Sequence, residues 1–401
     1  MANRWHVRIG GPLAQYGSGF ERHLAEQGYS SGSDHLYVMA QLSSFLLDSG
    51  LSTSALSASS VLKEFPDWRR AQGYVSELSS LRMSQTLDYL VMIGAVTSAE
   101  APRPATPVEE LIERYRCYLV TERGLAAPSV RAYLEVADTF LLSIHADGEP
   151  VLGSVTAAVV TSFVLAECRR MKIASAKATT TRLRSLLRFV YVEGLTTCAL
   201  ADAVPSVASW SLGSLPRGLP PTAVTRLLKS CDRRRPLGRR DFAVLSLLSR
   251  LGMRAGEVAG LRLSDIAWRA GELTVRGKGQ RTERLPLPVE VGEAIVAWLQ
   301  RGRPACVSDS VFVRVRAPHR ALSAGGVSAI VQRACQRAGL ATVGAHRLRH
   351  SAATAMLRGG ASLDEVGQVL RHERRQTTQI YAKVDRRALS AVVRPWPGAR
   401  P

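Results

Sequence analysis

Six polar residues in the C-terminal half of this 401-residue chain are of types that together can act on an anion: Arg254, Lys278, His346, Arg349, His372 and Tyr381. A guanidinium is a planar fork that grips two oxygens of one oxyanion and stays charged at any ordinary pH. A phenol is a weak nucleophile at its usual pKa of ~10, and gains power only beside cations and a base. A phosphodiester is the substrate that fits such a set, because attack on phosphorus concentrates charge on the non-bridging oxygens. Arg254 and Arg349 would clamp those oxygens while Tyr381 attacks. No carboxylate cluster suited to two metal ions stands nearby, so protein cations would take the place that metals fill in nucleases.

Taken singly, none of the six is diagnostic. Arg254, in the turn between Leu251-Gly-Met253 and Ala255-Gly-Glu257, reads equally as surface charge. Lys278 reads as a solvated turn, and Tyr381 as a half-buried packing residue. His346-Arg-Leu-Arg-His350 is a solvated helix start or, less naturally, a metal pair at i, i+4. His372 ends a helical stretch, where a cation suits the helix dipole. Order and context carry the weight.

The elements that must hold these residues follow from periodicity. A helix starts at Pro221, and Phe242 to Met253 makes a second. Glu272 to Leu287 alternates around Gly277-Lys-Gly279, which predicts a β-hairpin with Lys278 at its tip. Leu322 to Leu340, Arg347 to Gly359 and Ser362 to Leu370 return to helical spacing.

Set and order together resemble the tyrosine recombinase (phage integrase) family, whose signature is Arg, Lys, His-x-x-Arg, His and Tyr. Leu251-Gly-Met-Arg-Ala-Gly-Glu-Val-Ala-Gly-Leu261 looks like its first-arginine motif, and Gly277-Lys-Gly279 like its lysine hairpin. Ala345-His-Arg-Leu-Arg-His-Ser-Ala-Ala-Thr354 looks like its His-Arg helix, and Leu370 to Tyr381 like its nucleophile segment. One departure is visible: Arg371 stands where the family often has Gly before the His.

The resemblance spans nearly all of residues 219–384. It implies a mainly α fold with a small antiparallel β-sheet in the catalytic domain, preceded by helical modules. It also implies a site-specific DNA recombinase working through a 3′-phosphotyrosyl link and a Holliday junction; a duplicated helical module and a C-terminal tail favour the mobile-element integrase or transposase kind over a chromosome-dimer resolvase. In that scheme His346 assists proton movement at the tyrosine, His372 supports the scissile phosphate, and Lys278 protonates the departing 5′ oxygen. Bond energy is kept in the link, so no metal, cofactor or ATP is expected. The implied partners are double-stranded DNA and three further copies in a homo-tetramer on paired sites, with sister recombinases as a further option. Residues 384–393 and Pro395-Trp-Pro397 would form a tail that docks on a neighbouring subunit or on its own domain. Two rivals share the ancestry. A non-catalytic accessory protein would lack one of the six residues, and none is missing. An enzyme that relaxes supercoils or resolves hairpin telomeres would share the nucleophile.

Two Pro-bearing stretches, 101–107 and 206–218, divide the chain into three expected units: 1–100, 108–205 and 219–401. The first two share a cadence: Phe20 to Ser30 matches Tyr115 to Leu125, and Leu81 to Gly94 matches Thr181 to Gly194. A duplicated helical module is one reading, and chance likeness between helical sequences the other. By resemblance the second copy is a core-binding domain. Between Cys168 and Val192 it carries Arg169, Arg170, Lys172, Lys177, Arg182, Arg184 and Arg188 with no acid, as a DNA-tracking face requires. The stretch from Trp68 to Met92 keeps fewer cations and adds Glu77 and Asp88.

Charge is uneven along the chain. Residues 1–100 hold 7 basic and 9 acidic side chains, residues 101–215 hold 12 and 11, and residues 216–401 hold 34 and 13. The whole excess of +20 therefore lies in residues 216–401, where it would attract a polyanion. For the N-terminal unit, an arm-site DNA-binding role is the analogy with larger integrases, but its net acidic charge makes a contact with protein the expectation. No apolar run approaches the ~20 residues that cross a bilayer, and no signal peptide is visible. A cytoplasmic, nucleoid-associated protein that makes no membrane contact is the expectation. The six cysteines show no ligand spacing, so neither a zinc site nor a disulfide framework is expected.

Overall fold

The computed structural model describes residues 7–29, 33–57, 59–74, 80–96, 106–146, 149–150, 152–171, 173–207, 218–277, 282–371, 378 and 381. Lys172, Lys278, His372, the C-terminal residues 384–397 and most of the two Pro-bearing stretches lie outside the described residues. The chain forms two compact units, one of Met1–Ser98 with Leu212–Pro401 and the other of Ala99–Ser211.

The N-terminal part of the first unit has helices α1 (Gly17–Glu26), α2 (Ser33–Asp48), α3 (Ser59–Ala71) and α4 (Ser80–Met92). They close on Phe20, Leu24, Leu42, Phe45, Phe65 and Leu90. The second unit has α5 (Pro107–Thr121), α6 (Ala127–Ser143), α7 (Ala157–Arg169) and α8 (Ile173–Val192), with a two-residue ladder of β1 (His145–Ala146) and β2 (Glu149–Pro150). Tyr115, Leu119, Phe140, Leu183, Leu187 and Val190 fill its core. Matched positions pack alike: the Phe20 and Tyr89 rings lie 5.0 Å apart, and those of Tyr115 and Phe189 5.1 Å. Thr106 and Glu109 form a capping box at α5, so Pro107 opens a helix instead of ending a linker.

The rest of the first unit surrounds a larger core, with Leu245, Leu248, Ile295, Trp298, Phe312 and Ile330 among its members. Its helices are α9 (Pro221–Lys229), α10 (Pro236–Arg250), α11 (Ala255–Ala259), α12 (Val289–Arg301), α13 (Ala324–Arg337), α14 (Ala345–Arg358) and α15 (Leu363–Val369). One antiparallel sheet, β3 (Ile266–Ala267), β4 (Glu272–Arg276) and β5 (Thr282–Pro286), lies among them in the order β3-β4-β5. The expected hairpin is present as β4 and β5, closed by the Arg276–Thr282 pair. Asp265 accepts two hydrogen bonds from Arg276, at 2.6 and 2.7 Å, and so anchors the root of the connection that contains Lys278. Mainly helical, with a small three-stranded antiparallel sheet in the C-terminal part, is therefore the observed fold class.

Two glycines set the local geometry. Helix α10 stops at Arg250, short of the expected Met253, because Gly252 takes φ +59° and turns the chain towards Arg254. A Cβ there would also stand 2.5 Å from the Leu370 side chain. Gly28, at φ +86°, lets the turn after α1 meet the loop around His319. The His319 N–H donates to the Gln27 carbonyl at 3.0 Å, and a Cβ on Gly28 would lie 2.1 Å from the imidazole. Gly28→Val should loosen this junction, seen as faster proteolytic release of the N-terminal residues.

Candidate active site

Helix α14 carries His346, Arg349 and His350, which fall on one face at i, i+3 and i+4. Arg254 is the N-cap of α11. The Glu257 carboxylate accepts the Arg254 backbone N–H at 2.8 Å and its Nη1 at 2.7 Å, which holds the arginine at the helix start. The Arg254 side chain stays 41% exposed while Glu257 is buried. Arg349 is buried to 1% exposure: Nη1 donates to the Gly252 carbonyl at 2.6 Å and Nη2 to the Leu370 carbonyl. It thereby ties the first-arginine turn to the end of α15.

Tyr381 is 1% exposed, and its ring belongs to a small cluster with Ala353, Leu357, Val366 and Leu370. Its hydroxyl lies 2.5 Å from His350 Nδ1. The imidazole at the phenol is therefore that of His350, a residue to which sequence reasoning gave no catalytic role. His346 stands behind it, with ring centroids 4.4 Å apart. The signal was half present, since i, i+4 spacing makes the two imidazoles neighbours. What it lacked was the packing of α14 on α15, which brings in a tyrosine 31 positions away.

The electrostatics point one way. Burial pushes the Tyr381 phenol up to about 12, against the pull of Arg349. Burial, then the charges of His346, Arg347 and Arg349, bring His350 down to about 4. Burial, with Arg349 and Arg254, also lowers His346. At neutral pH the phenol is thus a donor and His350 a neutral acceptor, with its proton on Nε2. Burial and the neighbouring Arg254 lower Arg349 to about 10, which still leaves it charged. The sign for stability follows by linkage. A histidine whose pKa is lower folded than unfolded leaves the unfolded chain holding more protons between the two values. Stability should therefore fall as pH drops from about 6.5 towards about 4. His350→Asn should flatten that slope, as read by thermal denaturation across the window.

The cations of α7 and α8 take several settings. Arg169, Arg170, Lys177 and Arg188 are exposed, Arg182 and Arg184 half-buried. Lys177, Arg184 and Arg188 fall on one stripe of α8, at i, i+7 and i+11. Arg184 also donates to the Val204 carbonyl at 2.8 Å, so part of its guanidinium is committed to the fold.

Residues 217–387 match the Phage integrase family. The y4rA protein of Sinorhizobium fredii (strain NGR234), whose name assigns it as an integrase/recombinase, is 40% identical over 394 residues, covering 97% of this chain and 95% of its own. A match that long necessarily takes in the N-terminal residues. Tyrosine recombinase XerD of Mycobacterium tuberculosis is 33% identical over 309 residues, 72% of this chain and 97% of its own. The fold resembles that of lambda integrase in a tetramer bound to a Holliday junction, with TM-score 0.54 and 17% identity, over 81% of this chain and 91% of that one. With a relative of 40% identity along almost its whole length, the chain belongs to the phage integrase family of tyrosine recombinases.

Proposed function

We propose that this recombinase cuts and rejoins duplex DNA by attack of Tyr381 on a phosphodiester. The step leaves a 3′-phosphotyrosyl link and a free 5′ hydroxyl, and exchange proceeds through a Holliday junction without metal or ATP. The observation that carries the reading is the Tyr381 hydroxyl held 2.5 Å from His350 Nδ1, beside the buried Arg349. As the P–O bond forms, His350 Nδ1 takes the phenolic proton, a base assignment that replaces His346 in that role. His346 then supports the ring of His350. Arg254 and Arg349 grip the non-bridging oxygens, Lys278 protonates the leaving 5′ oxygen and His372 supports the phosphate. Incubation with nicked duplexes from the ends of the DNA element that carries the gene, in EDTA, should give a detergent-resistant adduct. Failure on every end fragment would refute the reading.

The three-unit division belongs to this proposal with one bound moved, because Thr106 caps the helix that Pro107 opens: units 1–100, 106–205 and 219–401, joined by 101–105 and 206–218. The equal packing of Phe20–Tyr89 and Tyr115–Phe189 supports descent of the first two units from one duplicated module. The second is the core-binding domain. Each exposed cation that meets a phosphate should contribute ~0.9 to the logarithmic salt dependence of binding. Lys177→Ala and Arg188→Ala should each reduce the slope by about that amount with no loss of stability, whereas Arg184→Ala should also lower the melting temperature. Four protomers assemble on two DNA sites, in the cytoplasm of the host cell. The N-terminal unit, net acidic, contacts protein, and sister recombinases are the partners that fit.

A further inference from the structure

Arg371 is out of place by three local criteria. It takes φ +56°, the one non-glycine at positive φ among the described residues, in the position after α15 where a helix ordinarily ends on glycine. Its side chain is only 4% exposed, although it carries a charge. Its Nε–H is buried without a hydrogen-bond partner. Each of these is unfavourable, so the guanidinium must be offset by what it touches. Its Nη2 meets Glu257 Oε2 at 2.6 Å, on the same carboxylate that holds Arg254. Its backbone carbonyl accepts from Arg254 Nη2 at 3.3 Å.

We propose that Arg371 is a positioning residue for Arg254, keeping the phosphate clamp both oriented and positively charged. Orientation comes from the carbonyl, which takes one guanidinium nitrogen while Glu257 takes the other. Charge comes from the side chain. With glycine at this position, Arg254 and Glu257 would form a neutral pair beside the phosphate. With Arg371, two guanidiniums share one carboxylate and a net positive charge remains for the substrate. Glu257 feels both: burial pushes its carboxyl up, but hydrogen bonds from Arg254 and the charge of Arg371 outweigh that and hold it low. Once bound DNA covers Arg254, whose side chain is 41% exposed in the free protein, such a charge acts on the transition state with less screening.

The inference rests on the proposed attack at a phosphodiester, so wild type on nicked element-end duplexes is the standard. Arg371→Gly suits the backbone at this turn and should keep or raise the melting temperature. Its single-turnover rate of adduct formation should nonetheless fall, by about 10- to 50-fold. Adding Glu257→Gln to that variant removes the negative charge that neutralises Arg254 yet keeps an oxygen to accept from it. The double variant should recover to within about threefold of wild type, a rescue that a merely structural role for Arg371 would not give. Two results would overturn the inference: Arg371→Gly cleaving at the wild-type rate, or a slow Arg371→Gly that Glu257→Gln does not speed. Absence of any adduct with wild type would overturn the recombinase reading and this inference with it.

Discussion

Tyr381→Phe should remain folded and bind DNA, yet form no covalent adduct. The substitution keeps the ring among Ala353, Leu357, Val366 and Leu370 and removes one oxygen. The hydrogen bond to His350 is the main loss to stability, ~1 kcal/mol. The loss to chemistry is of another order, because no other group takes over as nucleophile. A fall of at least about 10⁴-fold in adduct yield is expected. A gel of denatured protein on end-labelled nicked duplex reads this directly, and a mobility shift under native conditions checks that binding survives.

Arg349→Ala should be nearly as severe for cleavage and far worse for the fold. Arg349 serves the Gly252 and Leu370 carbonyls, one at the first-arginine turn and one at the end of α15. Truncation leaves both acceptors in a buried place, at about 1–3 kcal/mol each. It also removes the fork that would hold two phosphate oxygens, so a further loss of at least about 10³-fold in cleavage rate is expected. Arg349→Lys separates the two contributions. A single ammonium can reach one carbonyl and retain charge, so part of the stability should return. It cannot reproduce the planar bidentate grip, so cleavage should not. Urea denaturation and single-turnover cleavage on the same samples distinguish the two.

Much of the site was legible because its parts are local. Alternation about Gly277-Lys-Gly279 predicts a hairpin, and β4 and β5 form it. Helical spacing from Arg347 predicts α14, whose observed start at Ala345 includes His346. The six-residue order carries the family without any knowledge of contacts. What stayed hidden depends on distant packing. His350 gains its role from a tyrosine presented by another segment. Arg371 looks like a local departure until Glu257, 114 positions earlier, is seen against it. The end of α10 was misplaced because apolar periodicity continues to Met253, whereas Gly252 in the left-handed region ends the helix first. The charge asymmetry was plain in composition, but Arg184 shows that a cation on the right stripe can also serve the fold.

Tryptic mapping of the trapped adduct tests the central claim most directly. Wild-type protein would be incubated in EDTA with nicked duplexes from the element ends, digested with trypsin and nuclease, and analysed by mass spectrometry. The nucleotide remnant should sit on the peptide Gln376–Lys383, joined to Tyr381 through its 3′ phosphate. A remnant on any other residue, or a link through a 5′ phosphate, would contradict the assignment of Tyr381 and the direction of its attack.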